Sequence, residues 1–151
     1  MDPVVEKIAE QFQVVHRQLR DEVRGLSEGE LNWKPGPETT SIAALVVHTL
    51  GSEAEVLRTV AKVDGERDRD AEFLATASDA DDLIRRLDRA DSYLAAMAPR
   101  ITAETLAEPL MRGERGPETG LHWLITNYGH AREHLAHIQL TKQLYAQHRG
   151  S

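Results

Sequence analysis

Residues 118–147, ETGLHWLITNYGHAREHLAHIQLTKQLYAQ, carry the pattern that decides the fold. Leu124, Tyr128, Leu135 and Ile138 recur at three- and four-residue spacing, which sets them on one face of a helix turning about 100° per residue. A second stripe, Trp123, Asn127, His130, His134 and Thr141, runs along the polar margin of that face. The spacing predicts one long helix from about Glu118 to Gln147.

The same period appears three more times upstream. Asp2 and Pro3 open a first helix with Val4, Ile8, Phe12, Val15 and Leu19 on its stripe, closed by Gly25. Thr40 or Ser41 caps a second, whose Ile42, Leu45, Val46, Thr49, Val56, Leu57 and Val60 form a wide apolar face before Asp64-Gly65. Ser78 or Asp79 caps a third, carrying Leu83, Ile84, Leu87, Leu94 and Met97 and stopped by Pro99. The Pro- and Gly-rich stretch Ser27 to Pro37 reads as an ordered loop, Glu66 to Ala77 as a solvated, charge-dense connection, and Ile101 to Pro117 as a long crossover. Aromatics are only 5% of the chain, and no segment alternates with period two. Four amphipathic helices bury their faces most simply as an all-α four-helix bundle, one domain over residues 1–151.

Composition narrows the function. With 40% hydrophobic and 28% charged residues, the chain has the balance of a folded domain rather than a disordered one. A formal charge of −7 opposes contact with nucleic acid or anionic lipid. The chain has no cysteine, so disulfides, thiolate metal sites and cysteine nucleophiles are excluded together. No apolar run approaches the ~18 residues of a membrane span and no signal peptide opens the sequence, so a cytoplasmic location is expected, with neither nucleic acid nor membrane as partner.

Histidine is the chemical signal. Four of the seven histidines, His122, His130, His134 and His137, fall on the last helix. His130 and His134 differ by about 40° around the helix and lie about 6 Å apart, so both imidazoles can reach one metal. His134 with His137 is an alternative pair that geometry leaves open. His48, on the margin of the second helix's apolar face, is the candidate third ligand. Three neutral imidazoles leave a coordination position for water or substrate, unlike a closed structural site. Ligands of this kind must be neutral, so metal occupancy is expected to fall below about pH 6.5. His16, His122 and His148 are read as boundary or surface residues, and the acidic runs Asp64 to Glu72 and Asp79 to Asp82 as solvated faces and caps. His130-Ala131-Arg132-Glu133-His134 has the histidine spacing of a zinc protease, but its glutamate is displaced by two positions, so that chemistry is not expected.

Leu31-Asn32-Trp33-Lys34-Pro35, then Ser41-Ile42 through His48, then His130-Ala131-Arg132-Glu133-His134-Leu135-Ala136-His137-Ile138-Gln139-Leu140, resemble the DinB-like (YfiT-like) superfamily over nearly the whole chain. The resemblance implies an up-down-down-up bundle, commonly a homodimer, holding a divalent metal with His48, His130 and His134. Zinc is the default for three imidazoles; nickel and iron also accept them. It further implies a metal-dependent enzyme. The expected reaction is a thiol S-transferase acting on a small-molecule thiol and an electrophile, with a hydrolase as the lesser case and a non-catalytic metal-binding or dimeric interaction bundle as the alternative. No catalytic side chain beyond the metal ligands is assigned.

Overall fold

The computed structural model describes residues 1–150; Ser151, the last residue of the expected domain, lies outside them. Four long helices dominate: α1 (Pro3–Val23), α3 (Ile42–Ala61), α5 (Ala80–Met97) and α7 (Gly120–Arg149). Short helices α2 (Glu28–Asn32), α4 (Arg69–Phe73) and α6 (Ala103–Ala107) lie between them. Strands β1 (Pro109–Arg112) and β2 (Arg115–Thr119) form an antiparallel hairpin before α7.

The caps follow local chemistry. Asp2 accepts hydrogen bonds from the backbone N–H of Val4 at 2.8 Å and Val5 at 3.3 Å, Ser41 from Ala44 at 3.1 Å, and Asp79 from Asp82 at 2.8 Å, each satisfying a donor the helix leaves unpaired. The α1 stripe starts one residue later than expected. Val5 is buried while Val4 is 48% exposed, because the face continuing through Phe12, Val15 and Leu19 passes through position 5. Helix α3 ends at Ala61, with Lys62 in the left-handed conformation (φ 57°), three residues before the stop expected at Asp64-Gly65.

Three connections differ from the sequence reading. Ser27 caps α2 inside the stretch expected to be a loop, and Leu31 is fully buried there; the breakers Pro35 and Pro37 fall after that helix. The Asn32 side chain then clasps the far connection, donating to the Ala77 carbonyl at 2.8 Å and accepting from its N–H at 2.9 Å. The segment expected to be a solvated link contains α4, whose Glu72 is only 8% exposed. The crossover before α7 contains the hairpin, which turns at Gly113 in a positive-φ conformation and is pinned by Trp123 donating from Nε1 to the Leu110 carbonyl at 2.9 Å.

Helix α3 packs on both α5 and α7, and α1 packs on the same two helices from the other side. Around the bundle the order is therefore α1, α5, α3, α7, so the helices α1 and α3, adjacent among the long helices in sequence, stand diagonally opposed. The core falls into two apolar clusters. One contains Leu19, Val46, Leu87, Leu135 and Ile138, the other Phe12, Val56, Leu94, Trp123 and Leu124. Between them each long helix contributes polar residues at the same level: His16, then His48, Ser52 and Glu53, then Asp91, then Asn127. All but Asp91 are buried. A buried polar layer requires internal partners, and those partners make up the candidate site. No helix among the described residues is long and apolar enough to cross a membrane.

Candidate metal centre

His48 comes from the middle of α3, and His130 and His134 from successive turns of α7 against it. His130 Nε2 lies 3.2 Å from His48 Nε2 and 2.9 Å from His134 Nε2. Tetrahedral zinc, with bonds of about 2.0–2.1 Å, would set its nitrogen ligands about 3.3 Å apart. The His48 and His130 rings meet edge to face at 5.0 Å between centroids. The three histidines form a cluster that could hold a metal ion.

Proton counting tests whether the residues fit such a group. His48 Nδ1 lies 3.0 Å from Glu72 Oε1, so its ring donates there and presents a bare lone pair at Nε2. A proton on His130 Nε2 can serve His48 or His134 but not both, so neutral rings leave at least one of the two contacts without a proton of its own. A cation among the three Nε2 atoms removes the conflict, and the donor set therefore fits a divalent metal.

The surroundings favour the neutral, ligating form. Burial pushes His130 down to about 4 and His134 down to about 3, with the neighbouring imidazoles adding to the shift. His48 is lowered as well, burial outweighing the nearby Glu72 carboxylate. Protons should thus compete for this site at lower pH than the 6.5 expected of ordinary histidine.

A built support orients the rings. Arg67 donates to both Glu72 oxygens, from Nε at 2.9 Å and from a terminal nitrogen at 2.8 Å. Glu72 reaches His48 across Gly51, where an added Cβ would lie 2.0 Å from Oε2; glycine one turn along α3 is what admits the carboxylate. Phe73 covers His48 at 4.4 Å between ring centroids. Because hydrogen-bonded partners of this kind orient a ligating imidazole and raise its basicity, Glu72→Ala is expected to weaken metal binding about 10–100-fold while leaving the fold intact. Competition against a chromophoric chelator measures this; unchanged affinity would make Glu72 a purely structural residue.

Sequence-predicted positions divide clearly. His48, His130 and His134 converge, whereas the exposed His137 sets its Nδ1 3.2 Å from Nδ1 of His134, behind the cluster instead of in it. His148 stacks on Trp33 at 5.3 Å, and His122 stands near Glu118 at 3.7 Å. His16 corrects the sequence reading. Expected at the surface or margin, it is fully buried between Glu53 at 2.8 Å and Asp91 at 2.6 Å. Its place was foreshadowed, since position 16 lies about 40° from Phe12 and 60° from Leu19 on the α1 stripe. Glu72 also leaves the solvated class. Nothing in the spacing of its charge run announced that one carboxylate would turn inward.

Two cavities border this region. One of about 420 Å³ opens on His48 and His130 and is lined by Ser52, Asn127 and several arginines. Another of about 370 Å³, between α3 and α5, is lined by Val47, Leu50, Leu57 and Tyr93 and meets the cluster's support at Gly51 and Glu72.

Comparisons with known proteins agree with this architecture. A protein from a locus of Enterococcus faecalis superposes with a TM-score of 0.77 at 14% identity, over 95% of this chain and 98% of that one. A DinB-like protein from Bacillus cereus ATCC 10987 gives 0.73 at 11% identity, over 93% and 92%. A candidate DinB family member from Exiguobacterium sibiricum 255-15 gives 0.67 at 22% identity, over 97% and 94%. At these identities the likeness establishes the fold. No curated protein matches the sequence. The profile of the DinB superfamily matches residues 11–138, which takes in most of α1, all of α3 and α5, the short helices, the hairpin and α7 through Ile138, and the chain belongs to that superfamily.

Proposed function

We propose that this chain is a metal-dependent enzyme in which His48, His130 and His134 hold one divalent cation, zinc by default, and in which a low-molecular-weight thiol attacks an electrophile. The observation that carries the reading is the approach of three imidazole Nε2 atoms that cannot satisfy one another with protons. Three protein donors leave a tetrahedral cation one position short of closure, the composition of catalytic rather than structural sites. When bound, such a cation supplies Lewis-acid activation of a thiol or a water.

The chain's own groups do the positioning. Glu72, steadied by Arg67, holds the proton on Nδ1 of His48 and so directs Nε2 at the shared point. His137 meets Nδ1 of His134 from the outer side and fixes that ring in the same way. Phe73 packs against the His48 ring, and Trp123 forms part of the cavity wall. Transfer is favoured over hydrolysis because the cavity beside the cluster has room for a second reactant.

The surrounding assembly we take to be one domain with its long helices up-down-down-up, acting in the cytoplasm as a homodimer. The diagonal placement of α1 and α3 supports that topology. The test joins elemental analysis of untagged protein to a screen of small thiols against chlorodinitrobenzene and epoxides. About one metal per chain is expected, with thiol transfer abolished by chelation and restored by zinc, nickel or ferrous iron. Metal uptake without any chelator-sensitive transfer or hydrolysis would replace the enzyme with a non-catalytic metal-binding bundle.

A further inference from the structure

The chain is acidic overall, at a formal −7, yet the cavity that opens on His48 and His130 is lined by Arg67, Arg69, Arg112 and Arg115. They arrive from separate places: Arg67 and Arg69 from the start of α4, Arg112 and Arg115 from the two strands of the hairpin. Both insertions, short as they are, deliver guanidinium groups to the same mouth.

The carboxylates that pair with these arginines are Glu72 and Glu55. Arg67 is committed to Glu72, and Glu55 Oε1 is shared by Arg112 Nε, by Arg67 at 3.3 Å and by Arg115 at 3.4 Å. Arg69 has no carboxylate partner among the described residues and lies over the Phe73 ring at 5.0 Å. Four guanidiniums thus meet two carboxylates, and the lining carries surplus positive charge.

Arg112 sits at the back of the cavity, only 8% exposed, with a terminal nitrogen donating to Ser52 Oγ at 2.9 Å. Ser52 in turn accepts from the Asn127 amide at 2.8 Å, and the buried Asn127 Oδ1 has no partner. Burial, together with Arg115 and Arg67 nearby, holds the Arg112 guanidinium below its ordinary pKa in spite of Glu55. Burial is the larger cause, and the neighbouring cations add to it.

We propose that this cavity binds the carboxylate or phosphate group of a small molecule, anchored by Arg69, Arg112 and Arg115, so that the rest of that molecule lies against His48 and His130. Guanidinium forks match both oxyanions, and a charge-assisted bond in a recessed site is stronger than one on open surface. A cavity of about 420 Å³ is of the size that encloses a small ligand. Binding stands on the arginines alone; that the ligand is a substrate rests on the metal-dependent reading above.

The experiment titrates inorganic phosphate and, separately, succinate into metal-stripped, dialysed protein by calorimetry at low salt, with succinamide as the uncharged control. Arg69 and the 60% exposed Arg115 can be replaced without opening the core, so Arg69→Gln/Arg115→Gln is the informative variant, its melting temperature confirming the fold. The wild type is expected to bind phosphate, succinate or both but not succinamide, and the double variant to bind at least about tenfold more weakly. The tighter of the two probes identifies the oxyanion. Equal affinity of wild type and variant for both probes, or no binding by wild type at millimolar concentrations, overturns the proposal. Metal content is measured on the same preparation before stripping and again after incubation with zinc. A protein that takes up no metal but shows arginine-dependent phosphate binding would sink the enzyme reading and leave this one standing; the reverse result would do the opposite.

Discussion

The wild-type chain is expected to take up about one equivalent of metal, and His48→Ala to lose nearly all of it. His48 is the α3 member of the cluster, and without it the α7 pair alone faces the shared point. Loss of an outer hydrogen-bond partner already costs about 10–100-fold in affinity, and loss of a ligand should exceed that. Melting temperature provides a second readout. A metal that binds only the native state adds about 4 kcal/mol at a thousandfold excess over Kd, so chelator should lower the wild-type transition and leave that of His48→Ala unmoved. His137→Ala is the control that settles the alternative pair left open by helical spacing. Its Nδ1 contact lies behind His134, so it should keep the equivalent with modestly lower affinity. A full equivalent retained by His48→Ala, or lost by His137→Ala and not by His130→Ala, would redraw the site.

The long helices were legible because their information is local: a cap, a stripe, a stop. The triad was half legible for the same reason. His130 and His134 share a helix, and their spacing alone put them together, whereas His48 needed either the resemblance or the packing of α3 on α7. The remainder was hidden because it depends on tertiary contacts. Glu72 looks like any member of an acidic run until α4 lays it across Gly51. Arg67 and Arg112 look like surface charge until α4 and the hairpin turn them toward one cavity. The α2 helix did leave a local sign, Ser27-Glu28-Gly29-Glu30, the S-x-x-E capping pattern, masked by the prolines that follow it.

The two halves of the polar layer have opposite electrostatic characters. Around the triad, burial keeps imidazoles uncharged and ready to ligate. On the α1 side it does the reverse: burial lowers His16, but hydrogen bonds and charge from Glu53 and Asp91 outweigh it and hold the imidazole above 6.5. The Ser52–Glu53 step on α3 separates these environments, since Ser52 faces Asn127 and Arg112 while Glu53 faces His16. One polypeptide level therefore holds both an imidazole cluster whose protonation is disfavoured and an imidazole whose protonation is favoured.

The largest stability effect should come from that pair. His16→Ala leaves Glu53, 2% exposed, without the imidazole that contacts it at 2.8 Å, and removing one member of a buried ion pair typically costs about 3–5 kcal/mol. The double variant His16→Ala/Glu53→Ala removes the stranded charge as well, so it should lose less than the sum of the singles, leaving mainly a cavity cost. The pH dependence has a definite sign. His16 is raised, so its contribution is complete below 6.5 and drains away as pH climbs through the folded value. Glu53 is raised too, chiefly by burial, and thus acts in the same direction: the folded pair retains a proton that the unfolded chain releases. Asp91, held low despite burial by His16 and Arg20, contributes only above its usual 3.8 and is lost in acid. Denaturant titrations of the metal-free protein should therefore show wild-type stability falling as pH rises above about 6.5, with the slope flattened in His16→Ala/Glu53→Ala, which removes both proton sites. Identical slopes in the two proteins, or a loss under about 1 kcal/mol in His16→Ala, would show that the His16–Glu53 contact is not an ion pair in solution.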